Sequence, residues 1–282
     1  MSEEITLSIV VTVYNSGKFL PETLDSIEKV KFDIPHEIIL VNDGSTDLET
    51  INLLEKLSTT NKYQIFHKEN GGEGSAKNAG FANARGKYVL SFDSDDCMYK
   101  SYYNDAIHIL LKNPEFDILY GDLIYFGTQN SYKKSGRYNR MRLAISGNYA
   151  GAQCIYKKEV LDILGGYDES LIMVADWDFN SRAAVHGFKF YYFPKPLFRY
   201  RRILDGNSMS QNNPKLYHET KMGIIRNVPR DFFTMENISD YAIQSFKNSP
   251  KLLLKAIIII YIPKLYKLLN KMGILKNKII VQ

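Results

Sequence analysis

The sequence predicts an α/β fold with a mostly parallel central sheet and flanking helices, and three observations predict it. Apolar, β-branched runs of strand length alternate with segments of helical period through the first hundred residues. The runs are near-continuous, as expected of strands buried on both faces. Each run ends in polar residues, and in such sheets the carboxyl ends of the strands carry the site.

In order, residues 7–13 (LSIVVTV) form the first strand. Leu20, Leu24 and Ile27 then recur at helical spacing, and Pro21 is tolerated because it falls in a first turn. Residues 37–41 (EIILV) are a second buried strand, closed by Asn42-Asp43-Gly44. Thr46-Asp47-Leu48-Glu49 matches a capping box, and Leu48, Ile51, Leu54 and Leu57 are expected on one apolar helix face. Residues 63–66 form a short third strand, a small-residue helix opens at Gly74-Ser75 and runs through Ala84, and residues 88–92 form a fourth strand.

After Asp96 the pattern is mixed. Residues 116–126 read as a strand, and residues 127–147 as a polar loop with Lys133, Lys134, Arg137, Arg140 and Arg142 and no acid. Residues 176–186 read as a helix, and residues 188–200 as an aromatic strand interrupted by Pro194 and Pro196. Residues 251–271 read as a pair of apolar, lysine-rich helices split at Pro263.

The net charge of +5 is unevenly placed. Residues 251–282 carry seven Lys and no acid, so the first 250 residues sum to −2. A nearly neutral body argues against nucleic acid as a partner, and the basic tail points to an anionic surface. Leu265, Leu268, Leu269 and Met272 lie at helical spacing, opposite Lys264, Lys267 and Lys271. A basic amphipathic helix of this kind lies on membranes, and the apolar run 256–262 is too short to span one. Packing on the body, or a homodimer contact, is the other use of such a helix. Cys97 and Cys154 give neither a disulfide framework nor metal-ligand spacing. The acidic start Met1-Ser2-Glu3-Glu4 lacks the features of a signal peptide. Together these imply a cytoplasmic protein, peripheral at the inner face of the cell membrane.

The fourth strand ends in Asp93-Ser94-Asp95-Asp96. Two uses fit three acids within four residues: a hard divalent cation held between carboxylates and phosphate, or an acidic first turn favoured by the helix dipole. Their place at a strand end, after a Gly-rich helix, favours the cation. The polar ends of the first, second and fourth strands are expected on the same edge.

At these residues the chain resembles the family 2 glycosyltransferases. VTVYNSGKFLPETLDSI (11–27) resembles the family's first strand, turn and helix, and IILVNDGSTD (38–47) its nucleotide-binding second strand. NGGEGSAKNAGFANARGKYVLSFDSDD (70–96) resembles the block that ends in its DxD-type metal motif. LGGYDESL (164–171) and ADWDFNSRAAVHGF (175–188) resemble its acceptor-side block. The resemblance runs over roughly residues 5–210 as a series of ordered motifs.

The resemblance implies a GT-A fold and an inverting glycosyltransferase that moves a sugar from a UDP-sugar to a hydroxyl of a lipid-linked glycan, in surface polysaccharide biosynthesis. It implies residues 1–98 as a nucleotide-sugar-binding half, 99–215 as an acceptor-binding half and 216–282 as a helical extension. Asp93 and Asp95 would hold Mn²⁺ or Mg²⁺, and Asp176 would take the acceptor proton. Asp43 would accept a hydrogen bond from the uracil, with Thr12, Tyr14 and Asn15 lining the pocket and Tyr14 stacking on the base. Gly72, between Gly71 and Gly74, would let backbone approach the donor, with Lys77, Ser94 and Arg201 around its phosphates. Each residue also has a plainer use: Tyr14 in the core, Asp43 in an Asx-turn, the glycines at positive φ, Trp177 packed on the core instead of stacked on a sugar. His186, in the last turn of its helix, is expected to have no catalytic role.

The sequence departs from the family at two places. Ala175 stands where a Glu usually precedes the base, and a neighbouring carboxylate would raise that base's pKa. No His follows Tyr200-Arg201-Arg202, so Asp205 or a water replaces it, or the two arginines meet the diphosphate by charge. These losses keep open a catalytically weak or inactive nucleotide-sugar-binding subunit. The acid-rich edge alone also suits a nucleotidyltransferase.

Overall fold

The structure is a computed structural model that describes residues 4–203 and 212–246. Among these, residues 4–138 and 143–228 form one compact unit, and residues 139–142 and 229–246 belong to a second.

The first unit is built on a sheet of order β3-β2-β1-β4-β8-β6-β9-β5, with β7 beside β6. Its strands are β1 (Leu7–Val13), β2 (His36–Asp43), β3 (Gln64–Lys68), β4 (Tyr88–Asp93), β5 (Cys97–Met98), β6 (Ile118–Gly127), β7 (Ser131–Lys133), β8 (Ile155–Lys157) and β9 (Phe190–Arg202). β3, β2, β1 and β4 are mutually parallel, β9 is parallel to β6, and β8 is antiparallel to both β4 and β6. The expected mostly parallel sheet is present.

Alternate side chains of β1 enter two separate cores. Leu7, Ile9, Val11 and Val13 pack with α1 (Leu20–Glu28), α2 (Leu48–Ser58) and α4 (Tyr102–Lys112). Val10, with Ile39, Val41 and Val89, packs with α3 (Gly72–Asn83), α6 (Lys158–Leu164) and α7 (Ala175–His186). Burial on both faces is why these strands read as continuous apolar runs. α3 approaches closely because Gly80 lacks a Cβ; one added there would fall 2.1 Å from Val10 Cγ1. Gly80→Ala is therefore expected to destabilise by about 1–3 kcal/mol through overpacking. A urea midpoint equal to wild type would show that α3 can shift freely.

Several expectations need correction. The capping residue of α2 is Asp47, whose side chain accepts from the Thr50 amide, and Leu48 is 74 % exposed instead of joining the apolar face. α3 begins at Gly72, two residues earlier than expected. The 127–147 segment is not a plain loop: it holds β7 and α5 (Arg140–Ile145). β9 runs through Pro194 and Pro196, because Asp122 pairs with Pro196 directly after Gly121 pairs with Phe193, and the surplus residues bulge out.

After β9 come α8 (Pro214–Asn227), a 3₁₀ turn (Arg230–Phe232) and α9 (Met235–Phe246). Among the described residues no helix is long and apolar enough to cross a membrane. The basic amphipathic tail, and Asp205 with its neighbours, lie outside the described residues. Cys97 and Cys154 are free and buried.

Candidate active site

The parallel registers bring three strand ends level. Thr12 stands beside Val41 on β2 and Asp93 on β4, and Val13 beside Asn42. The polar ends predicted for one edge do share it.

The chain leaves β1 through Tyr14, 51 % exposed and so not a core aromatic, and Asn15, whose φ of +46° is one that Asn tolerates. Asn15 Oδ1 accepts from the Thr46 and Asp47 amides at 2.8 and 3.1 Å, and the Asn15 amide donates to Ser45 Oγ at 3.0 Å. Thr12, half-buried, lies just behind. Asn15 thus ties the first strand's exit to the second's.

Asp43 is buried and organises the glycine turn. Its Oδ1 accepts from Lys68 Nζ at 2.7 Å and the Gly71 amide at 2.9 Å, and its Oδ2 from the Gly72 amide at 2.9 Å. This is more than a local Asx-turn, because the partners lie 25 to 29 residues away. Gly72 has a φ of +84°, and an added Cβ would meet nothing within 4 Å, so backbone conformation requires the glycine there.

Lys77 is fully buried. It donates to Glu73, stands 3.2 Å from Asp93 Oδ1 and lies 5.5 Å from the Tyr167 ring centre. Burial opposes its charge, but Asp93 and Glu73 hold its pKa well above the ordinary lysine value. Sequence reading missed Glu73; its i, i+4 spacing to Lys77 was the available signal.

The three acids after β4 have different fates. Asp96 is buried, and its oxygens accept from the Arg201 amide at 2.8 Å and from Gln153 Nε2. It is a structural brace. Asp93 and Asp95 are less enclosed. Burial and the charge of Asp93 push Asp95 up to about 6, and burial raises Asp93 against the opposing pull of Lys77. Ser94 between them is buried and donates to Ser16 Oγ at 2.8 Å. Thr23 on α1 reaches the Ser94 and Asp96 carbonyls at 2.8 and 2.7 Å, which fixes the turn that carries Asp95.

Arg201 serves this turn as well. Its Nε donates to the Asp95 carbonyl at 2.7 Å, its guanidinium to Glu22 at 2.6 Å, and it lies over Phe126 and Phe19.

Asp176 sits in the first turn of α7, two residues after Val174 at φ +56°. Burial raises its pKa, Glu73 adds to the rise, and Lys77 and Asn148 oppose it. Asn148 Nδ2 donates to Asp176 Oδ2 at 2.7 Å, and Asn148 Oδ1 in turn accepts from Asn180 at 3.2 Å. Trp177 faces the core, 2 % exposed, with Nε1 donating to the Leu143 carbonyl at 2.7 Å. His186 is exposed and its Nδ1 bonds the Arg182 carbonyl at 3.0 Å.

Among the described residues, no group of three or more His, Cys, Asp or Glu is arranged to hold a metal ion. The donor set that fits a hard cation is the carboxylate pair Asp93 and Asp95, whose raised pKa values reflect repulsion and burial that a cation would relieve. Its other ligands would be water and substrate phosphate oxygens.

Comparison with known proteins identifies the family and the fold. The Glycosyl transferase family 2 profile matches residues 8–165. An uncharacterized glycosyltransferase, RP339 of Rickettsia prowazekii, is 34 % identical over 189 residues, 61 % of this chain and 56 % of that protein. The glycosyltransferase GlyG of Streptococcus pneumoniae is 30 % identical over 66 % of this chain and 55 % of its own length. The chain thus spans little more than half the length of these relatives. The structure is similar to that of S. aureus TarS 1–349 in complex with UDP-GlcNAc, with a TM-score of 0.67 and 20 % identity over 95 % of this chain and 80 % of that one. It is also similar to mannosyltransferase PcManGT of Pyrobaculum calidifontis in complex with GDP-Man and Mn²⁺, with a TM-score of 0.60 and 17 % identity over 98 % and 82 %. At these identities the likeness establishes a shared fold.

Proposed function

The chain belongs to glycosyl transferase family 2, and from that premise we propose that it transfers a sugar from a UDP-sugar to a glycan hydroxyl, with inversion, Asp176 acting as general base. Its fold is of the GT-A type. One observation carries the reading: Asp43 ends β2 and Asp93 and Asp95 leave β4, the two parallel strands that flank β1, and Lys77 beside Asp93 also acts on the charge of Asp176.

In this reading Tyr14 offers an exposed ring to the base, and the turn held by Asp43 and Asn15 receives the nucleoside without reordering. Gly72 leaves open space for the donor. Asp93 and Asp95 would hold Mn²⁺ or Mg²⁺, which would supply Lewis-acid stabilisation to the departing diphosphate. Lys77 holds Asp93 in place. Asp176, held by Asn148, takes the acceptor proton as the hydroxyl attacks the anomeric carbon opposite the leaving group. A single displacement inverts that centre. Arg201 braces the acid turn from Glu22, so its contribution to diphosphate binding acts through Asp95. The acceptor is assigned as lipid-linked, and the basic tail as a contact to an anionic membrane surface, because the sequence of 251–282 carries seven Lys and no acid and spaces Lys264, Lys267 and Lys271 apart from the apolar positions 265, 268, 269 and 272.

The test is a titration of UDP with and without Mn²⁺ on wild type and Asp95→Ala. Mn²⁺ is expected to tighten UDP binding, and Asp95→Ala to remove about tenfold or more of that gain. UDP binding indifferent to both metal and Asp95 would refute the cation assignment. Wild type that binds no UDP at all would refute the donor class.

A further inference from the structure

β9 continues past the acid turn to a second chemical surface. β5 pairs with β9 through Cys97 and Arg199, and Asp96 accepts from the Arg201 amide, so Tyr200 stands abreast of the acid turn. The next strand over, β6, places Tyr125 opposite Tyr200, with ring centres 5.9 Å apart and planes at 88°. Arg202 lies over both rings, 4.7 Å from the Tyr125 centre and 5.2 Å from that of Tyr200. Lys133 on β7 approaches Tyr125 to 5.9 Å. Tyr200 is 37 % exposed.

The two faces of this strand pair treat their arginines differently. On one face Arg201 lies over Phe126 and is paired with Glu22. On the other, Arg202 is held by rings alone. Among the described residues it forms no salt bridge, and its enclosed Nε has no hydrogen-bond partner. Lys133, which approaches the Tyr125 ring from β7, forms no salt bridge among the described residues either. A cation fixed by stacking and not by a carboxylate keeps its charge for an external anion. Exposed ring faces at half-buried positions suit the apolar faces of sugars.

We propose that the Tyr125–Tyr200–Arg202 face, extended by Lys133, binds the acceptor, and that the acceptor is a phosphate-bearing glycan chain. The inference rests on the transferase reading above and deepens it by naming the acceptor class. Charge complementarity selects this occupant. A neutral glycan would meet the rings but leave the Arg202 guanidinium and the Lys133 ammonium beside them without an anionic partner, whereas a phosphodiester-bearing chain meets both the rings and the cations.

The experiment measures binding of a phosphomannan oligosaccharide, its dephosphorylated counterpart and UDP to the full chain. It compares wild type with Arg202→Gln, Lys133→Gln and Tyr200→Ala. The phosphorylated oligosaccharide is expected to bind wild type about tenfold tighter than the neutral one at low salt. Arg202→Gln removes most of that difference, Lys133→Gln part of it, and Tyr200→Ala weakens both sugars. UDP affinity stays within about twofold throughout. Lys133→Gln, on an exposed strand, serves as the readout should Tyr200→Ala fail to fold. Equal binding of the two oligosaccharides by wild type overturns the proposal. So does a loss of UDP affinity in Arg202→Gln, which would give that arginine to the donor diphosphate. Normal UDP binding with neither oligosaccharide bound defeats this inference alone; absence of UDP binding defeats it together with the reading on which it rests.

Discussion

Asp176→Asn is expected to lower kcat by about two to four orders of magnitude, the range a positioned general base supplies, while UDP still binds. Asparagine keeps the shape and can still accept from Asn148 Nδ2, so the fold around the first turn of α7 is preserved. What is lost is the capacity to take a proton. Because burial and Glu73 raise the Asp176 pKa, the rate should fall with decreasing pH at values above the ordinary carboxylate range of about 4. The same shift sets the sign for stability. A folded pKa above the unfolded one gives a contribution that is full below the unfolded value and lost as pH rises through the folded value. At neutral pH the charged, half-buried Asp176 therefore weakens the fold, and Asp176→Asn should raise the unfolding midpoint while turnover collapses. Turnover against pH, with urea unfolding of both proteins, checks this; undiminished turnover in the variant removes Asp176 as the base.

Lys77→Met is expected to destabilise by about 3 kcal/mol, the lower end for breaking a buried ion pair, since Glu73 is half exposed. Methionine fills the same channel beside Tyr167 but leaves Glu73 and Asp93 without the ammonium. Two carboxylates would then share a site with no counter-ion. Adding Glu73→Gln to the Lys77→Met variant should recover part of the loss, a coupling visible in a double-mutant cycle. Denaturant unfolding of the four proteins measures it. A single variant as stable as wild type would mean that the buried charge is not the counter-ion of Asp93.

The parallel half of the sheet was legible because β1, β2 and β4 are buried on both faces and so leave uninterrupted apolar runs. β7 and α5 were not, because three- and six-residue elements are too short to carry a period. The prolines of β9 read as interruptions because a bulge depends on its partner strand, β6, about seventy residues earlier. At the site, residue types at strand ends were readable. Their bonding was not. Nothing local in the sequence distinguishes Asp96, turned inward to Gln153 and the Arg201 amide, from its neighbours Asp93 and Asp95. Asn148 is likewise found only through its contact with Asp176, 28 residues on.

The tethers that Asn15 and Asp43 throw across the strand ends have a kinetic consequence. The amides of Thr46, Asp47 and Gly71 lie in connecting loops and that of Gly72 in the first turn of α3, where hydrogen exchange with solvent is ordinarily fast. Each instead donates to a carbonyl or carboxylate oxygen anchored at the end of a core strand. These four amides are therefore expected to exchange more slowly than other loop amides, those held by the buried Asp43 most of all, which amide-resolved hydrogen exchange would show as protection rising from Thr46 and Asp47 to Gly71 and Gly72.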